Sequence, residues 1–437
     1  MSIKPLASVI LTFVCGTTLA QPAQPLPDPA TTDPRTLGWM QGFPPAPEKT
    51  IRFEDGSFYK FPRTRWTFSH VRELWPTANV WRGPSAATPL SAAPRPLDAI
   101  SFTDDKGGKT TWAEMLTRTY TDSILVLHKG RIVYEKYMNI AEPQVPHSVF
   151  SITKSFVGVL AATLAAEGTL DLDAPVVKYI PELKDGAYGD ATVRNLMDMT
   201  VGVRYSEKYA DPKAEIWDYS RAGGSLPVAA DYAGPKTFYE FLLTLKKEGS
   251  HGEAFAYKTV NTEVLAWIIK RVSGKSLSAL MSEKIWQPLG VENDAYFTVD
   301  AIGTEGGGGG LNLTLRDMAR FGDMMRLGGK YNGRQIIPQT VIDDIRKGGD
   351  PAKFTKAAYP DVPGYGKGSS YRSMWWVSHN AHEVFDARGI HGQRIYIDPK
   401  ADLVVVKLSS HPVASNLANI PLTDRAIEAV AAHLMND

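Results

Sequence analysis

A single cysteine in 437 residues, at position 15, leaves this chain without a disulfide framework or a thiolate metal site, and because it falls in the segment read below as a signal peptide, no cysteine nucleophile is expected in the mature protein. A surplus of charge is lacking too: 48 Lys and Arg stand against 47 Asp and Glu, a formal +1. That balance offers no electrostatic ground for a nucleic-acid or anionic-membrane partner. Nine histidines are present without a His-x-x-x-His or His-Glu-x-x-His pattern. His379 and His382 flank Asn380-Ala381, which reads as a hairpin turn, so no metal site is expected. Gly306 to Gly310 is the only glycine run, and no Gly-Lys-Ser/Thr follows it. It reads as a tight turn close to an active-site floor, not as a phosphate loop.

What is present begins at the N-terminus. Lys4 precedes an apolar stretch over residues 6–19, and Thr18-Leu19-Ala20 sets small residues where signal peptidase reads. Residues 1–20 are therefore expected to be a signal peptide cut after Ala20, too short for a membrane span, giving a periplasmic or secreted protein without a stable membrane anchor. Val14 ahead of Cys15 argues against a lipoprotein anchor. Residues 21–96 read as a proline-rich tether and an N-terminal extension. Pro22, Pro25, Pro27, Pro29 and Pro34 suit an extended segment, and residues 51–61 suit aromatic-rich short strands turning at Asp55-Gly56.

The main body starts near Leu97. Residues 123–138 are two β-rich runs around Lys129-Gly130, and residues 392–409 are two more around 398–400; both suit one antiparallel sheet. Helical periodicity marks 151–166, ended by Gly168, then 261–272, ended by Ser273-Gly274, and an amphipathic closing helix over 423–435. The fold class expected is α/β (α+β): an antiparallel sheet flanked by helices, built from 97–185 and 291–437, with a mostly helical insertion over 186–290.

Ser151-Ile152-Thr153-Lys154 carries the chemistry. A serine hydroxyl needs an adjacent base to become a nucleophile, and on a helix residues i and i+3 share a face. Lys154 can therefore place its amine beside Ser151, and the helix N-terminus favours a developing oxyanion. The tetrad also occurs as Ser57-Phe58-Tyr59-Lys60, but in a strand-like run, where i and i+3 point to opposite faces. The apolar turns at Phe156, Val157, Leu160 and Leu164 select the second copy.

The segment 147–156 resembles the nucleophile segment of the serine β-lactamase-like superfamily, which includes class C β-lactamases, D-amino-acid peptidases, esterases and the 6-aminohexanoate-dimer hydrolases. Further landmarks follow in the family's order: 170–175, 179–183, 192–200, 308–312 with 316–322, and 396–399. The resemblance covers residues 100–435. It implies a β-lactamase/transpeptidase-like fold and a Ser151 acyl-enzyme, with no cofactor or metal. It implies Tyr257 as the third catalytic residue, with Thr259 in place of the family's asparagine. It implies an oxyanion hole from the backbone N–H groups of Ser151 and Gln393, and a third motif at Ile390-His391-Gly392 whose usual cation is an isoleucine. His391 either lines the site or packs as a hydrogen-bonded histidine. The missing cation points to an amide or ester without a carboxylate anchor. With Trp39 and the stretch from Trp66 to Trp81, it places the chain nearest the 6-aminohexanoate-dimer hydrolase branch, in which Asn312 and Trp376 would contact substrate. An esterase, β-lactamase or D-amino-acid peptidase would use the same residues. A penicillin-binding sensor that acylates without turnover is the non-enzymatic alternative. The partner expected is a small-molecule amide or ester, specificity residing in loops 204–252 and 350–390; the sequence does not set the oligomeric state.

Overall fold

Two hairpins from opposite ends of the main body meet at the centre of the fold. Strands Thr121–His128 and Arg131–Tyr137 turn through Lys129 (φ 51°) and Gly130 (φ 74°), the doubly left-handed geometry that matches strand twist. Strands Gln393–Asp398 and Leu403–Ser409 form the second hairpin, and Leu403–Ser409 pairs antiparallel with Thr121–His128. Phe385–Gly389, Trp375–Val377 and Ser370–Arg372 extend the same sheet outward to seven antiparallel strands. The computed structural model describes residues 26–356 and 368–436; the expected signal peptide with Cys15, the first prolines and part of the 350–390 loop lie outside them.

Alternation assigns each strand residue to a face. Ile124, Val126, Leu403 and Val405 pack with helices Trp112–Arg118 and Ile420–Met435, while Leu125, Leu127, Val404 and Val406 pack with Ile152–Ala166 and Leu315–Arg326. Both faces are thus covered, and the strands read as nearly unbroken apolar runs although the sheet is antiparallel. Gly322 lets Leu315–Arg326 lie close to the sheet, since a Cβ there would come within 2.7 Å of Val404. The closing helix starts at Ile420, three residues before the periodicity marks it, because Pro421 is favourable in a first turn.

Between residues 186 and 290 the described chain is helix and loop, as expected, and its longest helix is Thr259–Ser273, ended by Gly274 at φ 65°. Its Val264, Leu265 and Ile268 share one core with Phe156, Val157 and Leu160 of Ile152–Ala166. A second sheet, in the order Thr77–Val80, Ala295–Thr298, Leu311–Leu313, His147–Ser148, leads the chain into Ser151.

The N-terminal extension differs from expectation in two places. Residues 57–59 form a 3-10 turn, not a strand, because Asp55 accepts the Ser57 N–H and Gly56 adopts φ 67°; local Asx chemistry outweighs the β-rich composition. Residues 30–37 are short helical turns with Asp33 capping and Pro34 at the first helical position. Buried Arg65 holds them by donating to the Pro29 carbonyl and to Thr32 Oγ1. Farther on, Ser91 to Arg95 hydrogen-bonds along Arg131–Tyr137 and covers that edge of the main sheet.

Candidate active site

Ser151 follows a strained turn. Val149 donates its N–H to the Leu311 carbonyl at 3.1 Å, and Phe150 sits at φ 45°, a left-handed conformation costly for an aromatic residue. The Phe68 carbonyl accepts the Ser148 N–H at 2.8 Å, so the N-terminal extension also fixes this turn. Ser151 stands at the N-cap position of Ile152–Ala166, but its side chain makes no capping bond. Instead Ser151 Oγ accepts a hydrogen bond from Lys154 Nζ at 2.9 Å. A plain N-cap serine with a solvated lysine is thereby excluded, since Lys154 is 1% exposed.

Burial pushes Lys154 down to about 8, while the carboxylates of half-buried Glu207 and buried Glu263 oppose that shift. Lys154 Nζ also donates to the Gly308 carbonyl at 2.5 Å. The glycine run is held from behind by Glu263, whose carboxylate accepts the N–H groups of Gly307 at 3.0 Å and Gly308 at 2.6 Å, together with the Tyr219 hydroxyl at 2.6 Å. The run does lie against the lysine, and its lack of side chains is a steric necessity. A Cβ on Gly308 would come within 2.4 Å of Thr259 Cγ2 and 2.8 Å of Glu263 Oε1. Gly308→Ala is accordingly expected to cost about 1–3 kcal/mol of stability from overpacking and to lower turnover by displacing the carbonyl that orients Lys154. Thermal unfolding alongside steady-state assays checks both.

Tyr257 sits just before Thr259–Ser273, its ring stacked on Trp376 (centroids 5.5 Å apart, 16° between planes) and edge-on to Tyr371. The Lys154 ammonium lies 5.2 Å from the Tyr257 ring centroid. Ser151, Tyr257, Glu207 and Trp376 line one cleft of about 1010 Å³, whose other wall includes Ile390, Gly392 and Gln393. Ser151 also borders a second cavity of about 920 Å³, lined by Thr259, Asn312, Ile390 and aromatic residues including Tyr59, Phe68 and Tyr219. The nucleophile position therefore opens on two chambers of different character. Asn312 donates Nδ2–H to the Gly310 carbonyl at 2.9 Å, and its buried Oδ1 has no partner among the described residues. An unpaired acceptor of that kind is costly unless a ligand donor meets it.

The 390–393 turn carries two successive left-handed residues, His391 (φ 62°) and Gly392 (φ 99°). The Gln393 side chain is consumed internally, bonding both the N–H and the carbonyl of Ser409, so what this residue offers the cleft is backbone. His391 borders neither chamber. It is buried against Phe68 and Phe150, its Nδ1 lies 2.6 Å from the His411 carbonyl, and burial lowers it to about 4, leaving a neutral ring that props the turn. His379 and His382 do flank a hairpin turn and bond separate partners, Ser370 Oγ and Asp398, each at 2.7 Å.

Several residues of the site escape sequence reasoning. Glu207 sits in a loop with no pattern to mark it; its carboxylate accepts the Thr259 N–H, and burial raises its pKa. Glu263 did carry a signal, a carboxylate on the apolar face of a helix. The contribution of Tyr59 and Phe68 depends on tertiary docking of the extension.

Comparison with known proteins identifies the fold and the family. The family model described as Beta-lactamase matches residues 113–426. The 6-aminohexanoate-dimer hydrolase of Paenarthrobacter ureafaciens is 35% identical over 356 residues, 82% of this chain and 88% of its own length. A solved Bacillus anthracis structure described as "Putative 6-aminohexanoate-dimer hydrolase" superposes with a TM-score of 0.80 at 34% identity, covering 89% of this chain and 99% of that one. Esterase EstB of Burkholderia gladioli is 25% identical over 188 residues, 40% of this chain and 47% of its own length. A serine beside a buried lysine on this fold, with relatives of that kind along most of its length, means that the chain belongs to the beta-lactamase family and is a serine hydrolase homologous to 6-aminohexanoate-dimer hydrolase.

Proposed function

We propose that this enzyme cleaves amide bonds in short linear oligomers of the 6-aminohexanoate-dimer type, through an acyl-enzyme on Ser151. Neutral Lys154 takes the Ser151 proton as Oγ attacks the carbonyl carbon. The oxyanion is met by the backbone N–H groups of Ser151 and Gln393. Tyr257 relays the proton to the leaving amine, and water then releases the acid and regenerates Ser151. Thr259, Asn312, Trp376, Ile390 and Gly392 contact the substrate along the two chambers. The observation that carries this reading is the 2.9 Å contact between Lys154 Nζ and Ser151 Oγ at the junction of those chambers.

The test is steady-state release of 6-aminohexanoate from its linear dimer, run beside nitrocefin and a 4-nitrophenyl ester. Sustained turnover of the dimer is expected. Rapid nitrocefin turnover instead would favour a β-lactamase, and release of one equivalent without further turnover would favour a penicillin-binding sensor. Export is proposed from the N-terminal apolar segment: protein recovered outside the cytoplasm is expected to begin at Gln21, and recovery with residues 1–20 intact would refute it.

Glu207 supplies a finer test of the base. Its charge favours protonated Lys154, so Glu207→Gln is expected to lower the lysine further and move the acid limb of the kcat/KM profile to lower pH, by up to about one unit. A limb that moves upward would contradict that electrostatic coupling.

A further inference from the structure

The isoleucine at position 390 leaves the cleft without the expected cation on that turn, yet cations stand beside it. In the main sheet Arg388 lies directly opposite Arg394, and Arg394 directly opposite Lys407, so three basic residues form one row across three adjacent strands. All three line the cleft that contains Ser151. The row begins at the site itself, for the Arg388 guanidinium lies 5.4 Å from the ring centroid of Trp376, which stacks on Tyr257.

Like charges directly opposed on neighbouring strands repel, and the row is only partly neutralised. Asp386 pairs with Arg388 at 2.7 Å and with Arg394 at 2.6 Å, and Asp424 pairs with Arg394 at 2.5 Å. Lys407 has no carboxylate within 4 Å among the described residues, although its side chain is buried (3% exposed). Its Nζ donates to Ser409 Oγ at 2.5 Å and to the Gly392 carbonyl at 3.3 Å. Burial lowers it to about 7, with Asp122 favouring and Arg394 opposing its charge.

Gly392 places no side chain beside this lysine. At φ 99° it favours glycine on conformational grounds alone, and a Cβ there would come within 3.3 Å of Lys407 Nζ and 3.1 Å of Asn416 Nδ2. Two nitrogen donors from different segments therefore converge over bare backbone at the edge of the cleft. A buried ammonium without a counter-ion is unfavourable, and an arriving anion would relieve it.

We propose that Lys407 and Asn416, meeting over Gly392, form a carboxylate subsite that takes the acid-bearing end of a linear substrate or product. This rests on the hydrolase reading above and deepens it. The cation absent from position 390 is replaced from the neighbouring strand, so the missing-cation argument for a substrate without a carboxylate does not apply to this chain.

Hexanoate and hexanamide, alike in length and different in charge, read the subsite as competitive inhibitors of 4-nitrophenyl acetate hydrolysis. Hexanoate is expected to bind at least about tenfold more tightly to the wild-type enzyme, as a charge-assisted hydrogen bond allows, and Lys407→Met is expected to bring the ratio of inhibition constants to about one. Asn416→Asp, which sets a carboxylate beside Nζ and leaves the buried lysine in place, is expected to abolish or reverse the preference; it carries the test if Lys407→Met does not fold. Equal inhibition in the wild type, or a preference that survives in either folded variant, would overturn the subsite. Failure to hydrolyse 4-nitrophenyl acetate would count against the hydrolase reading alone, since calorimetric binding of the same two compounds still decides the subsite.

Discussion

Ser151→Ala is expected to lower kcat/KM by at least about 10⁴-fold, the scale on which removal of a serine nucleophile acts, while shifting Tm by no more than a few degrees. The stability half follows from what Ser151 does not do. Its hydroxyl caps no backbone N–H, and its one polar contact among the described residues is with Lys154. After truncation Lys154 still donates to the Gly308 carbonyl, so no buried donor group is stranded completely. The catalytic half follows because the substitution removes the hydroxyl that Lys154 Nζ meets at 2.9 Å. Near-wild-type turnover in a folded Ser151→Ala protein would remove the assignment. Circular dichroism with steady-state assays of one purified variant measures both halves.

Lys154→Met is expected to cost about 10²–10⁴-fold in kcat, the usual contribution of a positioned general base, and to leave the fold intact because methionine fills similar volume without a buried charge. The wild-type profile supplies the sign. A protonated lysine cannot accept the Ser151 proton, so kcat/KM should rise with pH and level off above about 8, where Lys154 becomes neutral. That limb should vanish in Lys154→Met. Stability is linked to the same group: with its folded value near 8 and an ordinary value of 10.5, the unfolded chain binds more protons between those limits, so stability rises with pH across that window. The penalty is present in full below pH 8, and Lys154→Met should make the rise shallower, leaving the share of Lys407, which burial lowers to about 7. A kcat/KM profile that stays flat from pH 6 to 9 in the wild-type enzyme would argue against a lysine base.

Local chemistry made the central pieces of this protein legible. Ser151 and Lys154 lie three apart on a helix whose apolar turns are plain, and the two hairpins carry β-rich runs around turn residues. The glycine run could be placed near the site because no phosphate-loop frame surrounds it. Harder to read were features fixed by tertiary docking. The β-rich composition of 51–61 was overruled by one Asx turn at Asp55, and the extended reading of the tether by buried Arg65, which fixes Pro29 and Thr32. His391 resembles a site residue by position, yet it turns toward Phe68 and Phe150 and supports the turn instead. Glu207 has no sequence signal, and its significance lies in proximity to Lys154. Lys407 did leave one: a lysine that interrupts the run from Leu403 to Leu408 in a strand covered on both faces. A charge in such a place needs a partner or a purpose.

The most direct test is to trap and map the covalent intermediate. Wild-type enzyme mixed with 4-nitrophenyl acetate, quenched in acid and digested, is predicted to carry the acetyl group on the peptide containing Ser151, at that residue. The mark should be absent from Ser151→Ala and accumulate more slowly in Lys154→Met. Acetylation at another residue that keeps pace with turnover, or sustained turnover by Ser151→Ala without any mark, would contradict the account.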